Sequence, residues 1–231
     1  MSKSKELFMQ NREMEMNELG WDARDADHFY HQHNNSKTTL VIHPDDPSTT
    51  FLNYIYQDLP NTTVITKDKT QDEIIDLIKN HDRIIMLGHG TPQGLMSVGQ
   101  FPGRGYVINS EVAPYLTNTE NIFVWCYASD FVSRYNLEGF SSGMFISEVS
   151  EAVYLDVTAT QADVDMSNML FAYTLGKALL NNDDLNTAMG KVKTAYFTMT
   201  AINEVARYNN GRLRLMDKQV QLMDKQVLQE G

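Results

Sequence analysis

The sequence predicts an α/β protein built on a mostly parallel sheet with helices on both faces, and three observations lead there. Short apolar runs of strand length recur at 38–43, 62–66, 83–88, 121–126 and 152–157. Stretches with apolar residues at helical spacing lie between them, and turn-forming residues close most of the runs. Strands alternating with helices at this rhythm pair in parallel and need cover on both faces, so the expected architecture is a three-layer sandwich.

Residues 1–36 form a polar, Met-rich extension in which Leu7, Phe8, Met14, Met16 and Leu19 are loosely spaced for an amphipathic helix. His28, His31 and His33 follow closely, but no ordered carboxylate spacing accompanies them, and the plainer reading is an exposed linker rather than a metal site. The first strand, 38–43, is closed by Pro44-Asp45-Asp46-Pro47. Ser48 is then placed to cap a helix carrying Phe51, Leu52, Ile55, Tyr56 and Leu59. A second strand at 62–66 precedes Thr70, which with Glu73 makes a capping box for a helix whose buried stripe is Ile74, Ile75, Leu77 and Ile78.

The central strand, Arg83 to Gly88, ends in His89-Gly90. Residues 94–98 and 105–108 flank a turn with Pro102, Gly103 and Gly105 and read as a projecting β-hairpin. Ser110 can cap a short helix through Leu116, which leads into the strand 121–126. A loop-rich stretch, 129–142, is expected next, then a helix starting at 143–148 and a further parallel strand at 152–157. Long helices are expected at 165–180 and 184–203, with core stripes including Met169, Leu170, Tyr173, Leu180, Ala188, Val192 and Tyr196. From 207 to 231 a short repeat places Leu213, Met216, Val220, Met223 and Val227 at heptad spacing. This helical tail is expected either to pack on its own domain or to reach a helical partner, including a second copy of the chain.

A length of 231 residues with 42% hydrophobic content suffices for one sizeable core, so the expectation is one α/β domain at 37–206 between two extensions. A formal charge of −11 argues against nucleic-acid binding, which needs a basic face. No apolar run reaches membrane-spanning length and the N-terminus lacks an apolar signal core, so the expected setting is cytoplasmic, with a trimmed secreted form as the alternative. The single cysteine excludes an intrachain disulfide and a cysteine-based structural zinc site. That thiol is either buried filler or a nucleophile.

The second possibility has a specific form. In an open parallel sheet chemistry collects at the carboxyl ends of strands, and there the sequence places His89 after one apolar run and Cys126 after another. An imidazole beside a thiol can take its proton and return it to a leaving amine. The backbone N–H groups of Gly90 and Cys126 are candidate oxyanion donors. His-Gly ending one strand and Cys ending the next, in that order, resembles the caspase, gingipain, clostripain and CHAT group of cysteine peptidases, often called clan CD. The resemblance spans about Thr38 to Tyr196, and the turn from Cys126 to Phe131 resembles that of the gingipain-like members.

The resemblance implies a caspase-like sheet, a His89–Cys126 dyad, a peptide or protein substrate, and neither cofactor nor metal. The caspase signature itself is not met, because Trp125 and Tyr127 stand where Ala and Arg, Gln or Gly flank the cysteine. Members that cleave after Arg or Lys use an acidic pocket, for which Asp130, Glu148, Asp156, Asp163 and Asp165 are the candidates here. The clostripain pattern has Asp two residues before the cysteine, and Val124 occupies that position. Two other functions fit the same residues: a catalytically inactive scaffold or binding module in a larger assembly, and a thiol hydrolase of a small ester or amide.

Overall fold

The structure, a computed structural model, describes residues 37–117 and 119–217. The expected N-terminal amphipathic helix and histidine cluster lie outside the described residues.

Four apolar runs form the strands expected of them: β1 (Thr39–Ile42), β2 (Thr62–Ile65), β3 (Arg83–Leu87) and, after the hairpin, β7 (Glu120–Val124). With β8 (Gly139–Ser142) and β9 (Leu213–Met216) they make one sheet in the order β2-β1-β3-β7-β8-β9. All neighbouring pairs are parallel except β8–β9. β1 and β3 are buried along their whole length, as strands covered on both faces must be. Their side chains alternate between two cores. Leu40, Ile42, Ile84, Met86, Phe123 and Trp125 face one layer, and Val41, Ile85, Leu87, Ile122 and Val124 the other.

The first layer holds α1 (Gln71–Lys79), a 3-10 turn (Ala113–Leu116) and α2 (Ala128–Arg134). Ile74 and Ile78 of α1 and Phe131 of α2 are fully buried. Burying each such side chain contributes roughly 1.5–3 kcal/mol. The capping box at Thr70 and Glu73 forms as expected. The opposite layer holds a 3-10 helix (Pro47–Ile55), the long helix α4 (Gln161–Leu180), α5 (Leu185–Met199) and α6 (Glu204–Asn210). α4 crosses the 3-10 helix so closely that a Cβ on Gly176 would lie 2.2 Å from the Tyr54 carbonyl oxygen. The projecting sheet consists of β4 (Gly90–Thr91), β5 (Gly94–Met96) and β6 (Tyr106–Ile108), all antiparallel. This is an α/β fold with a mostly parallel sheet between helical layers and a separate hairpin sheet.

Several expectations are corrected. The run 152–157 is not a strand: α3 (Val149–Tyr154) covers its first half, and Val153 and Tyr154 are 73% and 81% exposed, which no strand between two layers could be. Residues 143–148 form a connection, not a helix start, and 129–142 is α2 followed by β8, not a loop. Ala128, Phe131, Val132 and Tyr135 have helical spacing that the polar residues among them disguise. Asp46, rather than Ser48, caps the 3-10 helix, accepting the Ser48 N–H. At the next turn Asn109, rather than Ser110, accepts the N–H groups of Glu111 and Val112. In the tail, Leu213 and Met216 belong to β9 and not to a helical seam, because the edge of β8 pairs with them. The remaining heptad positions lie outside the described residues.

Candidate active site

The two strands that lead to His89 and Cys126 are adjacent and parallel, with Leu87 paired to Val124. The Gly88 N–H continues the ladder to the Val124 carbonyl at 3.0 Å, so both turns start from the same edge of the sheet. After β3 the backbone at Gly88 has φ +138, a value open to glycine. Gly90 is required for a different reason: a Cβ there would lie 2.1 Å from Trp125 Cδ1. The indole occupies that space, and its Nε1–H donates to the Thr91 carbonyl at 3.2 Å. The residue before the cysteine thus locks the turn after the histidine. On the other strand, Tyr127 adopts the left-handed conformation, φ 66 and ψ 24, between Cys126 and α2. A bulky residue held there makes a strained strand-to-helix turn directly after Cys126.

His89 and Cys126 are both partly exposed and line one small cavity of about 20 Å³, together with Thr49, Gly88 and Phe145. Each has its own polar partners. His89 Nε2 is 2.7 Å from Ser48 Oγ and 3.9 Å from Asp46 Oδ2. The Cys126 thiol faces the Phe145 carbonyl at 3.6 Å and Glu151 Oε1 at 3.8 Å. Burial pushes the thiol up to about 11, and the Glu151 carboxylate adds to this by its charge and by accepting the thiol proton. The resting cysteine is therefore a thiol at neutral pH.

Glu151 is itself fixed. Its Oε2 accepts from Ser147 N–H (2.7 Å), Ser147 Oγ (3.0 Å) and Glu148 N–H (3.1 Å). The strand-like connection that carries Phe145 is clasped by Asn209 of α6. This fully buried carboxamide accepts the Ile146 N–H at 2.8 Å and donates to the Ile146 carbonyl at 2.9 Å.

A larger groove of about 380 Å³ adjoins the small cavity, and Phe51 and Ser147 line both. Glu148 and Asp165 lie on this groove, as do Ser48 and Asn168. The other three candidate acids do not. Asp163 accepts the Thr160 N–H and hydroxyl as the N-terminal box of α4, bonds that hold its carboxyl below the usual range. Asp130 is exposed in the first turn of α2, and Asp156 is exposed after α3 in a left-handed conformation. Gly90 starts β4 opposite Leu95.

Three residues at the site were not among the expected site residues: Asp46 and Ser48, read only as part of a turn and as a helix cap, and Glu151. The first two had a signal, since Asp-Pro-Ser is an N-cap followed by proline at the first helical position. Glu151 had none, because only the path of the chain through α3 brings it to the thiol. Among the described residues no group of three or more His, Cys, Asp and Glu side chains is placed to hold a metal ion, and no helix is long and apolar enough to cross a membrane. Comparisons with protein-family models, with curated proteins and with solved structures give no match.

Proposed function

We propose that the protein is a cysteine endopeptidase of the clan CD type, with Cys126 as nucleophile and His89 as its acid–base partner. The observation that carries this reading is the opening of both side chains into one cavity at the carboxyl ends of adjacent parallel strands. In the reaction, the thiol proton passes to the imidazole and the sulfur attacks a substrate carbonyl. The N–H groups of Gly90 and Cys126 are the donors to the resulting oxyanion. The imidazole then protonates the departing amine, and water releases the acyl group from sulfur. The residue before the scissile bond enters the groove beside Glu148 and Asp165, which favours a basic side chain.

One observation favours a second reading, a catalytically inactive scaffold: the thiol is protonated and tied to Glu151. A small-ester or amide hydrolase remains a third, given the small volume at the thiol. Labelling by a library of peptidyl acyloxymethyl ketones, read across all first-position residues, separates them. The peptidase reading expects labelling that favours Lys or Arg, is lost in Cys126→Ala and falls about a thousandfold in His89→Ala, with melting temperature nearly unchanged. Labelling that ignores His89 sinks it in favour of the scaffold, and labelling indifferent to the peptide favours the small-substrate hydrolase.

A further inference from the structure

We propose that Ser48, oriented by Asp46, is a positioning residue that takes the Nε2 hydrogen of His89 and thereby leaves Nδ1 as the nitrogen that receives the Cys126 proton. The proposal rests on the reading of His89 and Cys126 as a catalytic pair. It follows from counting hydrogens along a chain of three short contacts.

Asp46 Oδ1 accepts two bonds from one residue: the Ser48 N–H at 2.9 Å and the Ser48 hydroxyl at 2.7 Å. These bonds, the hydroxyl's first, hold the Asp46 carboxyl below its usual range, so it is ionised at neutral pH and can only accept. A serine hydroxyl has a single hydrogen. An ionised carboxylate is a stronger acceptor than a neutral ring nitrogen, so that hydrogen goes to Asp46. The remaining 2.7 Å contact, between Ser48 Oγ and His89 Nε2, must then have the imidazole as donor. A ring nitrogen engaged in this way fixes the tautomer of the other, and Nδ1 carries the lone pair. The same count excludes Ser48 as a rival nucleophile, since its hydrogen is committed to Asp46 and Nε2 has no lone pair to take it.

The proton balance is simple. The S–H bond of Cys126 breaks and an N–H bond forms at Nδ1, giving a thiolate and an imidazolium. Nε2–H stays on Ser48, and the Asp46 carboxylate, 3.9 Å from Nε2, stabilises the new positive charge without itself taking a proton. The Nδ1 proton later goes to the leaving amine, which restores the starting tautomer.

The full chain labelled with 15N-histidine tests the assignment by NMR, the His89 resonances being identified by their loss in His89→Asn. Wild-type protein is expected to show the Nε2–H tautomer. Ser48→Ala should turn it into a mixture and lower the rate of peptidyl acyloxymethyl ketone labelling roughly tenfold to a hundredfold, part of the 10²–10⁴ that general acid–base catalysis contributes. Ser48→Thr, which keeps a hydroxyl, should restore both. The alanine variant keeps the backbone cap to Asp46, and Asp46→Asn provides a second route to the same loss of tautomer preference. An Nδ1–H tautomer in wild type, or a tautomer and rate that Ser48→Ala leaves unchanged, overturns the proposal. Labelling independent of His89 beside an intact Nε2–H signal that Ser48→Ala disturbs would overturn the catalytic pair, and with it the catalytic role of Ser48, while the hydrogen-bond assignment stands.

Discussion

At the end of β3 the chain turns through Gly88 and Gly90 and holds His89 against a hydroxyl that is itself held by Asp46. At the end of β7 it turns through a left-handed Tyr127 and holds Cys126 against Glu151. Each side chain thus has a carboxylate nearby, one reaching the ring through a serine hydroxyl and the other facing the thiol directly. Burial, and after it the acid beside the thiol, opposes the thiolate. The two strand ends thus differ: at β3 the acid reaches the ring through a serine hydroxyl, and at β7 the acid adds its charge to a burial that already keeps the thiol protonated.

A third strand end extends this comparison and gives the largest effect. His43, at the end of β1, is 5% exposed and lies between Tyr56 Oη at 3.1 Å and Thr49 Oγ1 at 3.0 Å. Burial lowers it to about 4 from an ordinary value of 6.5. Above pH 6.5 neither folded nor unfolded chain protonates this ring. As pH falls from 6.5 to 4 the unfolded chain takes the proton first, so stability is lost across that window, by at most about 3 kcal/mol. Thermal melts between pH 7 and 4 should show the decline, and His43→Gln should flatten that part of it. A variant with an unaltered slope would mean the ring is already solvated.

The interlock between the two turns gives the next effect. Gly90→Ala forces a Cβ into the Trp125 ring and is expected to cost about 1–3 kcal/mol, read as a lower denaturation midpoint. Trp125→Ala in the same chain should remove the part of that cost that comes from the ring, leaving the 2.7 Å approach to the Gly94 carbonyl oxygen, and so give a favourable coupling in a double-mutant cycle. Strict additivity would show that the turns are independent. The smallest effect bears directly on the thiol. Glu151→Gln keeps an acceptor for the Ser147 and Glu148 N–H groups but removes the charge, so iodoacetamide should alkylate Cys126 roughly threefold to tenfold faster at pH 8. An unchanged rate would assign the raised thiol to burial alone.

The parts of this arrangement that could be read in advance are those in which local pattern and tertiary role agree. β1, β3 and β7 are apolar because both of their faces are covered, and His89 and Cys126 stand where such runs stop. β8 has the opposite character. Its Gly-Phe-Ser-Ser sequence has little strand propensity, yet a Cβ at Gly139 would meet the Asn121 carbonyl oxygen at 2.3 Å, so tight packing against β7 demands a residue that pattern reading discounts. β9 was hidden for another reason: Leu213 and Met216 fit both a heptad and a strand, and only the open edge of β8 decides between them. The run 152–157 has β-branched residues without a second layer to cover them. Glu151 meets the thiol through folding alone, so no spacing along the chain announces it.

The Asn209 clasp has a consequence for the order in which the protein is made. Phe145 lies against the Cys126 thiol, yet both hydrogen bonds that pin its neighbour Ile146 come from a residue late in the chain, and Gly143 likewise donates to the Arg212 carbonyl at 2.8 Å. Ribosomes add about 5–20 residues per second, so Cys126 emerges several seconds before the residues that close its surroundings. During that interval the nascent chain carries a cysteine whose burial, and with it the shift that keeps the thiol protonated, is incomplete. Assembly of α6 and β9 is thus the step that completes the surroundings in which the thiol is held protonated.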